Sequence, residues 1–474
     1  MLTRLEVQGF KNLVDVAIDF GPFTCIAGAN GMGKSNVFDA IEFLSYLAAE
    51  PLVEASQRVR GASGMRGGDP RDLFWDGYRD HEHRIKLAAE MIVPTQVEDD
   101  LGAPAKPTTT FLRYEVTLGF ERPVNASSLG RLSLLGEELR HIRRGEAAHH
   151  LRFGHSAGRF RGTVISGDRR SAFLSTEHRE GGTVINVHPD GESLGRPHAR
   201  AAGRAGRTVL STVTTNDYPT ILAARREMQS WRRLALEPTA LRTPDGLGDP
   251  RTLGTDGRHL AAALYRIAHG STSDGTDVDP EAVYARVAGR LADLSGVGVE
   301  GLTVELDPVR EVFTLLLEEK GDLRLPARAL SEGTLRFLAL CVLLEDPTFT
   351  GLIAMEEPEN GIHPANLPAM VELVRDLAVN PYEAPDDDNP FRQVIVNTHS
   401  PGVVQLCKGD DLLLAEVRAR RTTDGGIARA LSLLPFRGSW RAKSGEPTFS
   451  EADVVAFLAA PPGAQLRLPL DMVG

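Results

Sequence analysis

The sequence predicts an α/β fold: a parallel sheet covered by helices, interrupted by an antiparallel β insert and a helical lobe. Three observations predict it. The last third of the chain alternates helix and strand, the pattern of a parallel sheet lying under helices. The first 45 residues read as two strands, then a strand, a glycine loop and a helix. Between these ends, from about 84 to 210, candidate strands alternate with loops rich in Gly, Pro, Ser and Arg.

The elements follow in order. Leu2–Val7 and Val14–Phe20 alternate apolar and polar residues, as half-buried strands do. Phe23–Ala27 is a short apolar strand, and Asn36–Leu47 carries Val37, Ile41 and Leu44 at helical spacing. Residues 52–80, rich in Arg, Gly and Asp, read as loop. The insert strands are predicted at Arg84–Ile92, Phe111–Phe120, Ser133–Arg143, Ala148–Phe153, Arg159–Ser166 and Gly182–Val187. Helical periodicity returns at 216–235, 256–268 and Pro280–Leu294, before strands at Thr303–Leu306 and Val312–Glu318. Helix Glu332–Glu345, strand Leu352–Met355, helix Pro364–Leu377, strand Gln393–Asn397, helix Gly402–Leu406 and strand Asp411–Val417 complete the alternation. The expected segments are 1–50, 51–215 (β insert), 216–298 (helical lobe) and 299–474.

Composition narrows the function classes. Apolar residues are 42% and charged residues 25%, which excludes overall disorder. The net charge of −11 argues against a wholly basic nucleic-acid binder while leaving room for a local patch. Cys25, Cys341 and Cys407 are odd in number and far apart, so buried thiols in a reducing cytosol are expected rather than disulfides or zinc. There is neither a leader-like apolar stretch at the N-terminus nor an 18-residue apolar run, so a cytoplasmic protein with no membrane span is expected.

The strongest local motif is Gly28-Ala-Asn-Gly-Met-Gly-Lys-Ser35, with a strand before it and a helix after. Its glycines let backbone N–H groups curl around phosphate oxygens, and the helix points its positive end at the same place. Gly28, Asn30, Gly31, Gly33, Lys34, Ser35 and Asn36 are the candidate nucleotide-binding residues. Lys34 is suited to the β/γ-phosphates and Ser35 to Mg²⁺. The alternative, a chance glycine turn, is hard to square with both flanks.

Three weaker signals follow. Leu352–Met355 runs into Glu356 and Glu357, two carboxylates at the end of a buried strand, where open α/β sheets bind ligands. Successive strand residues point to opposite faces, so one acid can face Mg²⁺ while the other orients water. The bland alternative is a pair of solvated acids. Ser331, in Leu-Ser-Glu-Gly-Thr334, reads as a helix N-cap, and with Gly333 the helix start could hold a phosphate; an ordinary cap is the commoner use. His399 ends a second buried strand, where it could reach a γ-phosphate or serve structure alone.

Together, in this order and spacing, these pieces resemble the ABC-type ATPase heads shared by SMC, RecF and OLD proteins. More narrowly, the chain looks like bacterial AAA-annotated ATPases of antiphage systems such as Septu and PARIS. The opening Leu5-Glu-Val-Gln-Gly-Phe-Lys-Asn-Leu13 and the segment Glu356-Glu-Pro-Glu-Asn-Gly-Ile-His-Pro364 carry the likeness, which covers roughly 1–45 and 230–420. It implies that Gly28–Ser35 is the Walker A loop and that Ser331 and Gly333 touch nucleotide held by a second copy. It implies Glu356 as the metal-side acid, Glu357 as the catalytic glutamate, His399 as the switch histidine and Asn360–Pro364 as the D-loop. ATP and Mg²⁺ are the implied cofactors, and a homodimer or higher homo-oligomer the implied assembly. Two residues depart from the usual motifs: Glu356 stands where Asp is usual, and Glu332 adds a charge to the signature. Arg71-Asp-Leu-Phe-Trp-Asp76 is the nearest candidate for a Q-loop.

Arg140, His141, Arg143, Arg144, His149, His150, Arg152, His155, Arg159, Arg161, Arg169 and Arg170 crowd the insert. On one face they would track duplex DNA phosphates; as dispersed loop charges they would only be solvated, which the net charge favours. About 75 residues follow His399, and they hold no glutamate-then-DxD pattern of a nuclease, so a separate effector, a nuclease among the candidates, is expected. Three functions stay open: a motor or sensor ATPase in antiphage defence, a RecF-like DNA-repair ATPase, and an ATP-gated scaffold.

Overall fold

The computed structural model describes residues 1–59, 70–75, 83–122, 130–169, 171–180, 182–191, 198–270, 278–295, 298–321, 323–421 and 427–459. The fold is mixed α/β, with a large antiparallel sheet and parallel strand pairs, consistent with a P-loop ABC-type ATPase head. The chain divides into two compact units: 1–232 with 381–384 and 408–474, and 233–380 with 385–407.

The first unit is built on an eight-stranded antiparallel sheet. Its order is His198–Ala201, Gly182–Val187, Leu174–Arg179, Arg131–His141, Phe111–Glu121, Arg84–Ile92, Leu2–Phe10 and Leu13–Asp19. The N-terminal strands and the insert strands are therefore one sheet. Leu2, Leu5, Val7 and Phe10 are buried, and the central strand Arg84–Ile92 is buried almost throughout. At one edge His198–Ala201 is fully exposed; charged residues there discourage pairing with other chains. Phe23–Ala27, buried at every position, pairs in parallel with Leu412–Arg421, which pairs antiparallel with Ile427–Pro435. Helix Lys34–Leu47 buries Val37, Phe38, Ile41, Leu44 and Leu47.

The second unit holds the parallel pair Gly351–Glu356 and Arg392–Thr398, in a register that sets Glu356 opposite Asn397. Helices Glu332–Glu345 and Leu367–Asp376 belong to this unit. Buried Arg392 donates to the carbonyls of Leu343 (2.8 Å) and Asp346 (3.0 Å), satisfying the last turn of the first helix. A small antiparallel sheet of Asp245–Gly246, Val312–Glu319, Val299–Asp307 and Leu323–Pro326 lies with helices Leu260–Ala268 and Pro280–Ser295.

Several sequence expectations are corrected. Ala148–Phe153 is not a strand; Ala147–His150 makes one helical turn. Arg159–Ser166 is also helical, as Ala157–Arg161 and Gly162–Val164, because Ser156 Oγ accepts the Arg159 N–H and starts a turn. Leu52–Arg58, expected as loop, is a helix. Pro364–Leu377 splits into a 3₁₀ turn, Pro364–Asn366, and the helix Leu367–Asp376. Strands Leu174–Arg179, His198–Ala201, Leu323–Pro326 and Ile427–Pro435 and helix Glu451–Ala459 had no forecast. Cys25 and Cys341 are buried, Cys407 is half-buried, and all three are free thiols. Among the described residues no helix is long and apolar enough to cross a membrane.

Candidate functional site

In the first unit, the chain leaves strand Phe23–Ala27 and turns through the glycine loop into helix Lys34–Leu47. Gly33 is left-handed (φ +94°), and a Cβ there would meet Asn12 Nδ2 at 2.1 Å, so only glycine fits. Asn12, in the turn between the first two strands, braces the loop: its amide donates to Met32 O (3.0 Å) and its Oδ1 accepts from Asn36 Nδ2 (2.6 Å). Lys34 is buried and folds back, donating to the carbonyls of Gly28 (2.6 Å) and Ala29 (2.9 Å). Asn30 and Gly31 are exposed and Ser35 is half-buried in the first helical turn. An ammonium resting on loop carbonyls beside a helix N-terminus suits a phosphate chain.

In the second unit the strand Gly351–Glu356 ends at the acidic pair. Glu357 has a left-handed backbone (φ +47°), unusual for a residue with a side chain and a mark of functional sites. Glu357 N donates to Asn397 O (3.0 Å), fixing that turn to the neighbouring strand. Its Oε1 lies 2.7 Å from His399 Nδ1 and its Oε2 accepts from Asn360 Nδ2 at 2.8 Å. Glu356 Oε2 pairs with Arg233 Nη2 at 2.7 Å, and its Oε1 is 3.4 Å from Asn397 Nδ2. Arg336 donates to Asn360 O, tying helix Glu332–Glu345 to the loop after the acids.

The structure thus brings Glu356, Glu357, Asn360 and His399 into one network in the second unit, and Gly28–Asn36 into one loop in the first. Ser331 caps helix Glu332–Glu345, its Oγ accepting from Thr334 N (3.1 Å). A Cβ on Gly333 would lie 3.3 Å from Gly361 O, so the helix start abuts the loop after the acids. Glu332 is exposed in the first helical turn, where a carboxylate suits the helix dipole. Pro70–Leu73 of the Q-loop candidate is a 3₁₀ turn whose Leu73 carbonyl accepts from Lys11 N (2.9 Å); Asp76 lies outside the described residues. Arg233 and Asn397 were not anticipated: each is far in sequence from the acid it meets, and no local pattern marks it. Ser35 and Glu356 offer hard oxygens of the kind Mg²⁺ takes, although Glu356 is already ion-paired.

Many of the insert's cations are spent within the chain. Arg140 pairs with Glu138 (2.7 Å), Arg152 with Asp19 (3.2 Å), Arg159 with Glu383 (2.7 Å) and His150 with Glu90 (2.8 Å). Arg169 donates to Pro189 O (2.7 Å) and stacks on Phe173. Arg170 lies outside the described residues.

Comparison with known proteins points the same way as the motifs. Residues 215–405 match the family described as "AAA domain, putative AbiEii toxin, Type IV TA system", and residues 4–90 match a second AAA domain family. The chain is 36% identical to the DNA replication and repair protein RecF of Phocaeicola vulgatus over 61 residues, 13% of this chain and 16% of that one. It is 37% identical to the chromosome partition protein Smc of Bacillus subtilis over 89 residues, 18% of this chain and 6% of that one. The match thus spans about a sixth of RecF and far less of Smc. A crystal structure of an SMC head bound to the C-terminal winged-helix domain of ScpA aligns over 92% of this chain and 98% of that one, with 14% identity and a TM-score of 0.46. The likeness is to AAA-type ATPases of the SMC and RecF group.

Proposed function

We propose that this chain is a Mg²⁺-dependent ATPase that closes as a homodimer around ATP in the cytosol. The observation that carries the reading is Glu357: a left-handed residue at the end of a parallel strand, one carboxylate oxygen on His399 and the other on Asn360. That is the constellation expected of a general base held in place until substrate arrives. Gly28, Asn30, Gly31, Gly33, Lys34 and Asn36 would bind the phosphates. Ser35 and Glu356 would hold Mg²⁺, which when bound neutralises charge on the phosphates. Glu357 would take the proton of the attacking water, with His399 orienting that carboxylate. Ser331 and Gly333 would meet nucleotide held by the second copy. The four segments 1–50, 51–215, 216–298 and 299–474 would then be ATPase core, β insert, helical lobe and ATPase core again.

In biology, the reading we favour is a motor or sensor subunit in antiphage defence, working with a separate effector. The match of residues 215–405 to a family whose description includes a toxin of a toxin–antitoxin system supports it. The RecF match over 61 residues favours the second reading, a DNA-repair ATPase. Steady-state hydrolysis with and without duplex DNA, with Glu357→Gln as the blank, separates them. Stimulation by DNA supports the repair reading. A rate indifferent to DNA and absent in the variant supports the defence reading. Hydrolysis that persists unchanged in Glu357→Gln refutes the assigned base.

A further inference from the structure

Asp245, Asp249 and His259 meet in the second unit, on a different sheet from the acidic strand. Each offers one donor atom, and the three donors all lie within 4.8 Å of one another. Asp245 opens the short strand Asp245–Gly246, and His259 immediately precedes helix Leu260–Ala268. Asp249 sits exposed on the turn that follows the strand.

Backbone groups orient both carboxylates. Asp245 Oδ2 accepts from Ala262 N (3.0 Å), and Asp249 Oδ2 accepts from Gly246 N (2.7 Å). Each acid keeps a second oxygen for another partner. Asp245 Oδ1 lies 3.3 Å from His259 Nδ1, yet no hydrogen bond joins them. The His259 side chain is 22% exposed, but its Nδ1 is shut off from solvent and has no hydrogen-bond partner among the described residues. The Asp245 side chain is only 3% exposed. Apart from His259, no cation pairs with either acid among the described residues. A buried carboxylate is ordinarily matched by a cation or a metal. Capping the helix accounts for one oxygen of Asp245. It does not account for a shielded imidazole nitrogen facing the other oxygen, with a second carboxylate beside them.

We propose that Asp245, Asp249 and His259 bind a divalent transition ion, zinc foremost, through two carboxylate oxygens and the Nδ1 of a neutral imidazole. One nitrogen with two oxygens suits zinc better than Mg²⁺ or Ca²⁺. Donors about 2.0–2.2 Å from a tetrahedral zinc stand roughly 3.3–3.6 Å apart, and the Asp245–His259 separation of 3.3 Å meets that spacing. The exposed Asp249 side chain closes the set by rotation, and water completes it. The imidazole proton then sits on Nε2. The ion would staple the start of helix Leu260–Ala268 to strand Asp245–Gly246 and close the segment 247–258 between them.

The test uses the full chain, stripped with EDTA, without nucleotide, dialysed against micromolar zinc; bound metal is counted and the melt recorded with and without zinc. The native chain is expected to retain about one zinc ion and to melt higher with it. Asp249→Asn keeps an acceptor for Gly246 N at an exposed position, and His259→Asn puts a residue tolerant of the left-handed backbone (φ +66°) at 259. Both are expected to bind zinc about tenfold or more weakly and to lose its effect on the melt. Cobalt in place of zinc should give d–d absorption without a thiolate charge-transfer band, which excludes Cys25, Cys341 and Cys407 as the ligands. Glu356→Gln should bind zinc as native does, which separates this site from the metal of the ATPase reading. No zinc retained by the native chain would overturn the proposal. So would retention by Asp249→Asn equal to native, a loss in Glu356→Gln alone, or a thiolate band with cobalt. The Asp249 variant decides the matter even if His259→Asn fails to fold.

Discussion

The two candidate clusters hold their charges in opposite ways. In the glycine loop the cation is held by backbone: Lys34 rests on the Gly28 and Ala29 carbonyls, and Asn12 braces the turn. At the acidic strand the anions are held by side chains: Arg233 and Asn397 on Glu356, Asn360 and His399 on Glu357. A charge satisfied by its own loop is encoded within a few residues. A charge satisfied by distant side chains depends on the whole unit being folded. On the proposed reading, ATP and Mg²⁺ would replace internal partners in both places, so affinity would reflect a difference between two satisfied states.

The comparison can be broken at either end. The largest expected effect is at the loop: Lys34→Ala should weaken ATP binding about a hundredfold, because a charge-assisted contact to phosphate is lost from a buried cradle. Fluorescent-analogue titration measures it, and unchanged affinity would remove Lys34 from the site. Next is the acidic strand. Arg233 neutralises Glu356, so Arg233→Gln should lower the Mn²⁺ concentration needed for half-saturation severalfold, read by electron paramagnetic resonance with ADP present. A rise instead would make Arg233 an orienting partner rather than a competitor.

A smaller effect tests a charge pair away from both clusters. The hydrogen bond to Glu90, ahead of the opposing burial, raises the pKa of His150 above its ordinary 6.5. A raised folded-state pKa means the protonated ring stabilises the fold. That contribution is complete below the unfolded value and fades as pH rises through the raised one. The native chain should therefore lose melting temperature above pH 6.5, and His150→Gln should flatten that fall; superimposable profiles would show that the pair does not matter.

What could be read from sequence follows the same division. The loop Gly28–Ser35, its strand and its helix were legible because the chemistry is contiguous, and Ser331 was legible as a cap for the same reason. The ends of both parallel strands were legible because buried strands in α/β sheets present their last residues to ligands. Arg233 and Asn397 were not, since each is brought to its acid by strand pairing between segments far apart in sequence. Leu174–Arg179 and His198–Ala201 escaped because exposed strands toward a sheet edge carry no apolar alternation. Ala148–Phe153 and Arg159–Ser166 were misread because short apolar spacing fits one helical turn as well as a strand, and for the second segment the Ser156 cap decided between them.

The most direct test of the central claim is single-turnover hydrolysis of radiolabelled ATP by native, Lys34→Ala and Glu357→Gln chains, with bound ATP counted in the same samples. The account predicts that Lys34→Ala binds ATP about a hundredfold more weakly than the native chain and holds correspondingly little ATP to hydrolyse. It predicts that Glu357→Gln binds as native does but hydrolyses about a hundredfold more slowly, the cost of losing a positioned base. Native turnover in Glu357→Gln, or normal binding in Lys34→Ala, would contradict it.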